Sequence, residues 1–556
     1  MKIIIKLLLP IVLLGVQACS DGGFESALYE RELAAAPALP ATEVANAAPG
    51  GPTSEAEAFR LLEQATFGPN RAEIQLAAEI GPEIWINEQV RSDATFMLPA
   101  LYNSRQDRWN EYVNIWWRHA VKGDDQLRQR VAFALSQILV VSATDGLSEE
   151  QPGLANYYDL LIQHAFGNYR DLLEDVTLNP IMGEYLSMKG NRKPDVEENI
   201  RPDENYAREI LQLFTIGTEL LHPDGTPQLG NNGVPKPAYS QEHIEAFAHV
   251  FTGWHFANAD DFRWPQNKDY LSPMEAWPEY HDTGEKVLLR GRVLPAGQSP
   301  EQDLSDALDN LFNHPNVGPF ISKQLIQRLV TSNPSPGYVK DVAAVFDRNA
   351  QGERGSLAST VKAILMHEEA RSGHLESPET FGKLKEPTIR ITQVWRAFEP
   401  RYIHENFNYG WAQNEIAQAP LNSPSVFNFY RPDYSQPGDI ENRGLVSPEF
   451  GIVDESSIIA LTSRLLANTL WSHNYKNDSD SQRIAIDITD EMQLEPDRDA
   501  LIDHLDMLLL GGTMSEPLRA QVNALMNERS YDDAASQRVV EAIFLIVTSP
   551  EAAVQI

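Results

Sequence analysis

Residues 201–214 read RPDENYAREILQLF, and their spacing decides the fold class. At about 100° per residue, Ala207, Ile210, Leu211 and Phe214 fall on one apolar stripe of a helix. Glu204, Arg208 and Gln212 run along one edge of that stripe, with Asn205 and Glu209 beyond them. An acid and a guanidinium four residues apart can pair at the rim of a core, which holds the carboxylate ionised.

The same pattern extends in both directions. Leu127, Val131, Leu135 and Ile138 recur at helical spacing behind Asp124, a potential cap. Segments 154–188, 203–221, 241–252, 303–313, 317–331, 338–348, 356–370, 381–398, 455–470, 498–509, 515–527 and 535–548 read as helices. Ser54 and Glu57 form a capping box at the start, and Asn70 to Glu73 repeats it. Alternating strands are scarce, and Lys286 to Val293 is the best candidate for a hairpin. The expected fold is therefore mainly α: one large helical domain over 54–556, with long loops at 222–240, 255–300 and 400–450. No fixed-period repeat marks a solenoid.

The ends of the chain carry a different signal. Residues 1–18, MKIIIKLLLPIVLLGVQA, join a basic start to a ten-residue apolar run, too short for the roughly 20 residues of a membrane-spanning helix. This is the pattern of a signal peptide. Val16-Gln17-Ala18-Cys19 resembles a bacterial lipobox, in which Cys19 is lipidated. Ser20 after it points by analogy to the outer membrane or cell surface. Residues 19–53, rich in Ala and Pro, read as a tether that buries too little apolar surface to fold.

Composition removes whole classes. The net charge is −34, and loss of 1–18 takes two lysines and makes it −36. Phosphates are repelled by such a surface, so no nucleic-acid partner is expected. One cysteine forbids an intrachain disulfide, a zinc CxxC pair and a haem attachment motif. No Walker A loop, HExxH, GxSxG or GxGxxG occurs. No cofactor and no metal are expected. Asn474, Asn477, Asp478 and Asp480 lack the order and glycine of a calcium loop.

Three constellations remain as candidates. In 201–214, Glu204 and Glu209 are carboxylates, Arg208 an orienting cation and Asn205 a polar neighbour. In 240–255, Glu242, Glu245 and His249 share one helix face without the spacing of a helical metal site, and Trp254-His255 enters a long loop. In 280–286, His281 and Asp282 offer an acid/base pair or simply a turn.

Nine segments in order carry a family resemblance: FRLLEQATFGP (59–69), LRQRVAFALSQILVVS (127–142), AFGNYRDLLEDVTLNPIMGEYL (165–186), RPDENYAREILQLFTIG (201–217), YSQEHIEAFAHVFTGW (239–254), YHDTGEKVLLRG (280–291), HPNVGPFISKQLIQRLV (314–330), APLNSPSVFNFYRPDYSQPG (419–438) and IFLIVTSPEAAVQ (543–555). The chain resembles the bacterial domain of unknown function 1800 family over about residues 54–556. The resemblance implies exported, mostly helical proteins often encoded beside the unknown-function 1501 family, whose members resemble phosphatases and sulfatases. It supplies no catalytic residues.

The expected function is an exported, lipid-anchored surface protein acting as a hydrolase or lyase on extracellular glycans. Its catalytic candidates are Glu204, Arg208, Glu209, His281 and Asp282, with Trp254, His255 and Asn205 binding substrate. Ten tryptophans and eighteen tyrosines are available for sugar stacking. The alternative is a non-catalytic surface module that holds a family-1501 partner. A third reading, a metal- or redox-linked envelope protein, lacks thiolate and haem motifs.

Overall fold

Ser54 opens the folded chain by accepting from the Glu57 N–H at 3.2 Å, while the Glu57 carboxylate reaches back to the Ser54 N–H at 3.4 Å. This box starts helix α1, Glu55–Ala65, and helices follow along the rest of the chain. The computed structural model describes residues 51–104, 109–143, 145–400, 409–475, 484–528 and 534–556. The signal peptide, Cys19, nearly all of the tether and the residues Asn477, Asp478 and Asp480 lie outside them.

The mainly α fold expected from the periodicity is present. Helices α2 (Gln126–Ser136) and α3 (Gln151–His164) pack together. Helix α4 (Asn205–Glu209) runs directly into a π-helical turn, Ile210–Thr215. Helix α5 (Gln241–Val250) packs on α4, and α6 (Val317–Leu329) on Pro336–Asp347. Helix α7, Pro387–Ala397, brings Trp395 against Trp117 with ring centroids 5.5 Å apart. Phe67, edge to face with Trp116, and Phe133, tilted against it, extend this aromatic core. Several tryptophans thus fill the interior, the usual place for large aromatic area.

Several helical expectations are corrected by breaks. Segment 154–188 divides into Gln151–His164, Tyr169–Leu178 and Pro180–Tyr185. Phe166-Gly167 interrupts the first join, and Asn179 caps the Pro180 helix through its side chain at the second. Segment 203–221 stops at Thr215 because Gly217 turns the chain with φ +71°. Segment 356–370 divides at His367 and continues as Glu368–Glu376. Segment 381–398 begins as a strand, and Pro387 starts the helix at its first position. Asp125 rather than Asp124 precedes α2, and it does not cap it through its side chain.

Three short antiparallel pairs interrupt the helices: β1 (Trp254–His255) with β2 (Glu275–Ala276), β3 (Lys286–Val287) with β4 (Val293–Leu294), and β5 (Lys383–Leu384) with β6 (Val554–Gln555). β3–β4 is the expected hairpin, turned by Arg290 and Gly291 at positive φ. β5–β6 registers Lys383 opposite Gln555 and ties the C-terminal segment under α6.

Candidate functional site

Helix α6 carries Phe320, Lys323, Gln324, Gln327 and Arg328 at i, i+3, i+4, i+7 and i+8, which places them on one face. The face adjoining it (Ile321, Leu325, Leu329) is ordinary core. The first face borders a cavity of about 330 Å³, within the size range of ligand pockets. Gln212 and Leu213 of the π-helical turn form its second wall. Such turns widen a helix and re-aim its side chains. Here Ile216 and Gly217 both donate backbone N–H groups to the Leu211 carbonyl at 3.1 Å. A third wall is Val426, Phe427, Arg431, Pro432 and Asp433, and Gln137 closes the floor.

Beneath the floor lies a fully buried ionic network. Gln137 donates its side-chain amide to Glu386 Oε2 at 2.6 Å, and Gln418 donates to the same oxygen at 2.5 Å. Lys383 pairs with Glu449 at 2.9 Å and also donates to the Arg328 carbonyl at 2.9 Å. Arg328 donates to the Gln137 carbonyl at 3.0 Å, and Arg130 to the Arg328 carbonyl at 2.7 Å. Burial raises the Glu449 pKa against the pull of Lys383, and holds the Tyr430 phenol well above its usual value. Desolvating this many charges is expensive unless each is met by hydrogen bonds. Two buried donors in the cavity wall are not met: Gln324 Nε2 and Arg328 Nε have no partner, in residues only 7% and 4% exposed.

At the mouth, Lys323 keeps solvent access while the packed protein around it lowers its pKa, with Asp433 opposing that shift. Arg431 and Asp433 form an exposed pair at 2.8 Å.

The catalytic and substrate-binding candidates occupy three other places and none lines this cavity, although Gln212, on the same helical edge as Glu204 and Arg208, does. Glu204 and Arg208 do pair, at 2.8 Å and half exposed, with the Gln241 amide on the same carboxylate oxygen at 2.9 Å. Asn205 is exposed, its backbone N–H donating to Asp203 at 2.8 Å. Glu209 points inward at 6% exposure, and its Oε2 has no partner. Burial raises its pKa, the Arg208 charge opposing. Tyr185 and Tyr239 are raised chiefly by their own burial and secondarily by the Glu209 charge.

Trp254 is 3% exposed in β1, so its indole packs against the core rather than facing a groove. His255 is wedged between Phe256 and Phe262 at 5.3 and 5.2 Å, and burial pushes it down to about 4. The His281 ring is sealed, with Nδ1 on the Thr252 carbonyl at 2.9 Å and Nε2 on Asp303 at 3.0 Å. Lys286 reaches the same Asp303 oxygen at 2.7 Å. Asp282 turns away from His281 and pairs with His249, whose hydrogen bond is the main force holding the carboxyl at about 2.

Two carboxylates therefore contact α5 near opposite ends, Glu204 through Gln241 and Asp282 through His249. Eight residues of helix, about 12 Å along the axis, separate Gln241 from His249. Among the described residues no group of three His, Cys, Asp or Glu side chains could hold a metal. No described helix is long and apolar enough to cross a membrane.

Sequence reasoning passed over the cavity because a polar helix stripe ordinarily means a solvated face. The available signal was that its walls come from four of the segments that carry the family resemblance: 127–142, 201–217, 314–330 and 419–438.

Fold and cavity together define a mainly α-helical protein with a ligand-sized pocket set over a buried charge network. The chain belongs to the family described as protein of unknown function (DUF1800), whose model matches residues 60–554. No curated protein matches it, and no solved structure does either.

Proposed function

We propose that the protein is an exported, lipid-anchored surface protein whose cavity takes part of an extracellular glycan, as a hydrolase or lyase. The observation that carries this reading is the cavity wall itself. It sets two aromatic rings, Phe320 and Phe427, among four side-chain amides, Gln137, Gln212, Gln324 and Gln327. Sugar rings present apolar C–H faces and hydroxyl edges, and amides both donate to and accept from hydroxyls. Lys323, Glu219 and Asp433 are the titratable groups at the cavity available for proton transfer.

The test is a binding and depolymerisation screen of the full chain against neutral, uronic and sulfated polysaccharides, with Phe427→Ala and Gln212→Ala in parallel. Binding that both substitutions weaken supports the reading. Absence of binding to every polymer, or binding indifferent to both changes, overturns it.

A second reading, a module that holds a partner of the unknown-function 1501 family, draws on the segment beside the cavity. Residues 218–238 fold as a backbone-bonded ribbon carrying exposed Leu229 and Val234. Co-purification of native membranes without such a partner would count against it.

A further inference from the structure

We propose that the cavity contains a site for an anionic group, a carboxylate or sulfate carried on the sugar, built from Gln324, Arg328 and Lys323. The inference rests on the glycan reading above and names the chemical class of its ligand.

The first support is the polarity of the unmet atoms. The two buried polar side-chain atoms of the wall without a hydrogen-bond partner, Gln324 Nε2 and Arg328 Nε, are both N–H donors. A buried donor left unpaired costs free energy comparable to a lost hydrogen bond. Both belong to residues that line the cavity, so acceptor oxygens of a ligand would meet them once these side chains turn toward it. Because one of the donors belongs to a guanidinium, a charged acceptor is favoured over a hydroxyl. Lys323 is one helical step from Gln324 and turns the same face toward the mouth.

The second support is local charge. In the wall, Lys323, Arg328 and Arg431 stand against Glu219 and Asp433. Under the floor, Arg130 and Lys383 stand against Glu386 and Glu449. The site is positive by one charge inside a chain with 45 basic and 79 acidic residues. So acidic a protein has no general affinity for anions, and saturable anion binding must arise from a local cluster.

The internal bonding also makes the site separable from stability. The Gln324 side chain makes no hydrogen bond through Nε2, so Gln324→Met removes an unmet donor at similar volume and should leave the melting temperature level or higher. A residue kept for folding would behave oppositely.

The test is titration calorimetry on the full chain with three oligosaccharides of one backbone, bearing a neutral hexose, a uronate or a sulfate ester, and with inorganic sulfate alone. The expected result is at least about tenfold tighter binding of an acidic form than of the neutral one. Gln324→Met and Lys323→Gln should each erase most of that preference without loss of fold, and the two acidic arms show which anion is preferred. Equal binding of all three oligosaccharides overturns the anionic site and leaves the glycan reading standing. Binding of inorganic sulfate that Lys323→Gln abolishes, with no oligosaccharide bound, upholds the anionic site and overturns the glycan reading. No binding of any probe overturns both.

Discussion

Gln137 donates its side-chain amide to Glu386 Oε2 across 2.6 Å, and this bond joins the cavity floor to a carboxylate sealed inside the protein. The same residue accepts twice: its backbone carbonyl receives Arg328, and its Oε1 receives the Tyr430 hydroxyl at 3.4 Å. One glutamine therefore joins a carboxylate, a guanidinium and a phenol. A ligand that shifts Gln137 would be felt throughout the charge network.

Gln137→Leu should be destabilising beyond the loss of an ordinary hydrogen bond. It strips one of two amides from a buried carboxylate, and an undersolvated charge costs about 2 kcal/mol or more. Urea unfolding should show a lowered midpoint. The double variant Gln137→Leu/Glu386→Leu should recover part of the loss by removing the charge, and a double variant worse than the sum of both single changes would contradict the coupling.

Glu209 predicts a stability that falls as pH rises. Its burial raises the folded pKa above the ordinary 4.5, so the native state holds a proton that the unfolded chain has released. Between the ordinary value and the raised one, stability declines with pH, and above both the penalty is constant. Glu209→Gln should therefore stabilise the protein at neutral pH, and the gain should disappear below about pH 4. Thermal melts across that range check the sign. A variant less stable at every pH would mean that the carboxylate has an ionic role that burial alone does not describe.

Asp282 behaves in the opposite sense. Its carboxyl is held at about 2 from an ordinary 3.8, chiefly by the His249 hydrogen bond and then, against desolvation, by the Gly284 N–H. The stabilisation is complete above the unfolded value and is lost as pH falls from about 4 to 2. A shift of this size corresponds to something on the order of 2 kcal/mol. Acid titration followed by circular dichroism should show that loss in the wild type, and Asp282→Asn should be nearly flat through the same window.

Much of the fold was legible because amphipathic spacing survives in helix after helix. The capping box at Ser54 and Glu57 and the hairpin around Arg290-Gly291 were readable from local chemistry alone. Breaks such as Gly167 and His367 were not, because apolar spacing continues across them while the backbone turns. The site was less legible for a related reason. Gln324, Gln327 and Arg328 form a polar stripe like any solvated one, and the π-helical turn, the segment after it and residues 426–433, all distant in sequence, cover it. Choosing candidates by residue type instead favoured Trp254 and His281, whose rings complete the core. Glu209 was visible as a carboxylate but not as an orphaned one.

Gly217 links fold to cavity most directly, and it yields the last prediction. Its φ of +71° is left-handed, and a Cβ there would come within 2.7 Å of the Phe320 ring. Both residues border the cavity. Gly217→Ala must therefore bear the left-handed cost of about 1–2 kcal/mol and also push Phe320 from its place, toward the space a ligand would fill. Ligand affinity should fall by more than the modest drop in melting temperature would imply. Phe320→Leu removes the ring that the added methyl group would strike, so in the Gly217→Ala background it should restore part of the lost stability. If affinity is untouched by Gly217→Ala while stability falls, Phe320 does not shape the bound state and the cavity's ligand must rest on the α6 amides and cations alone.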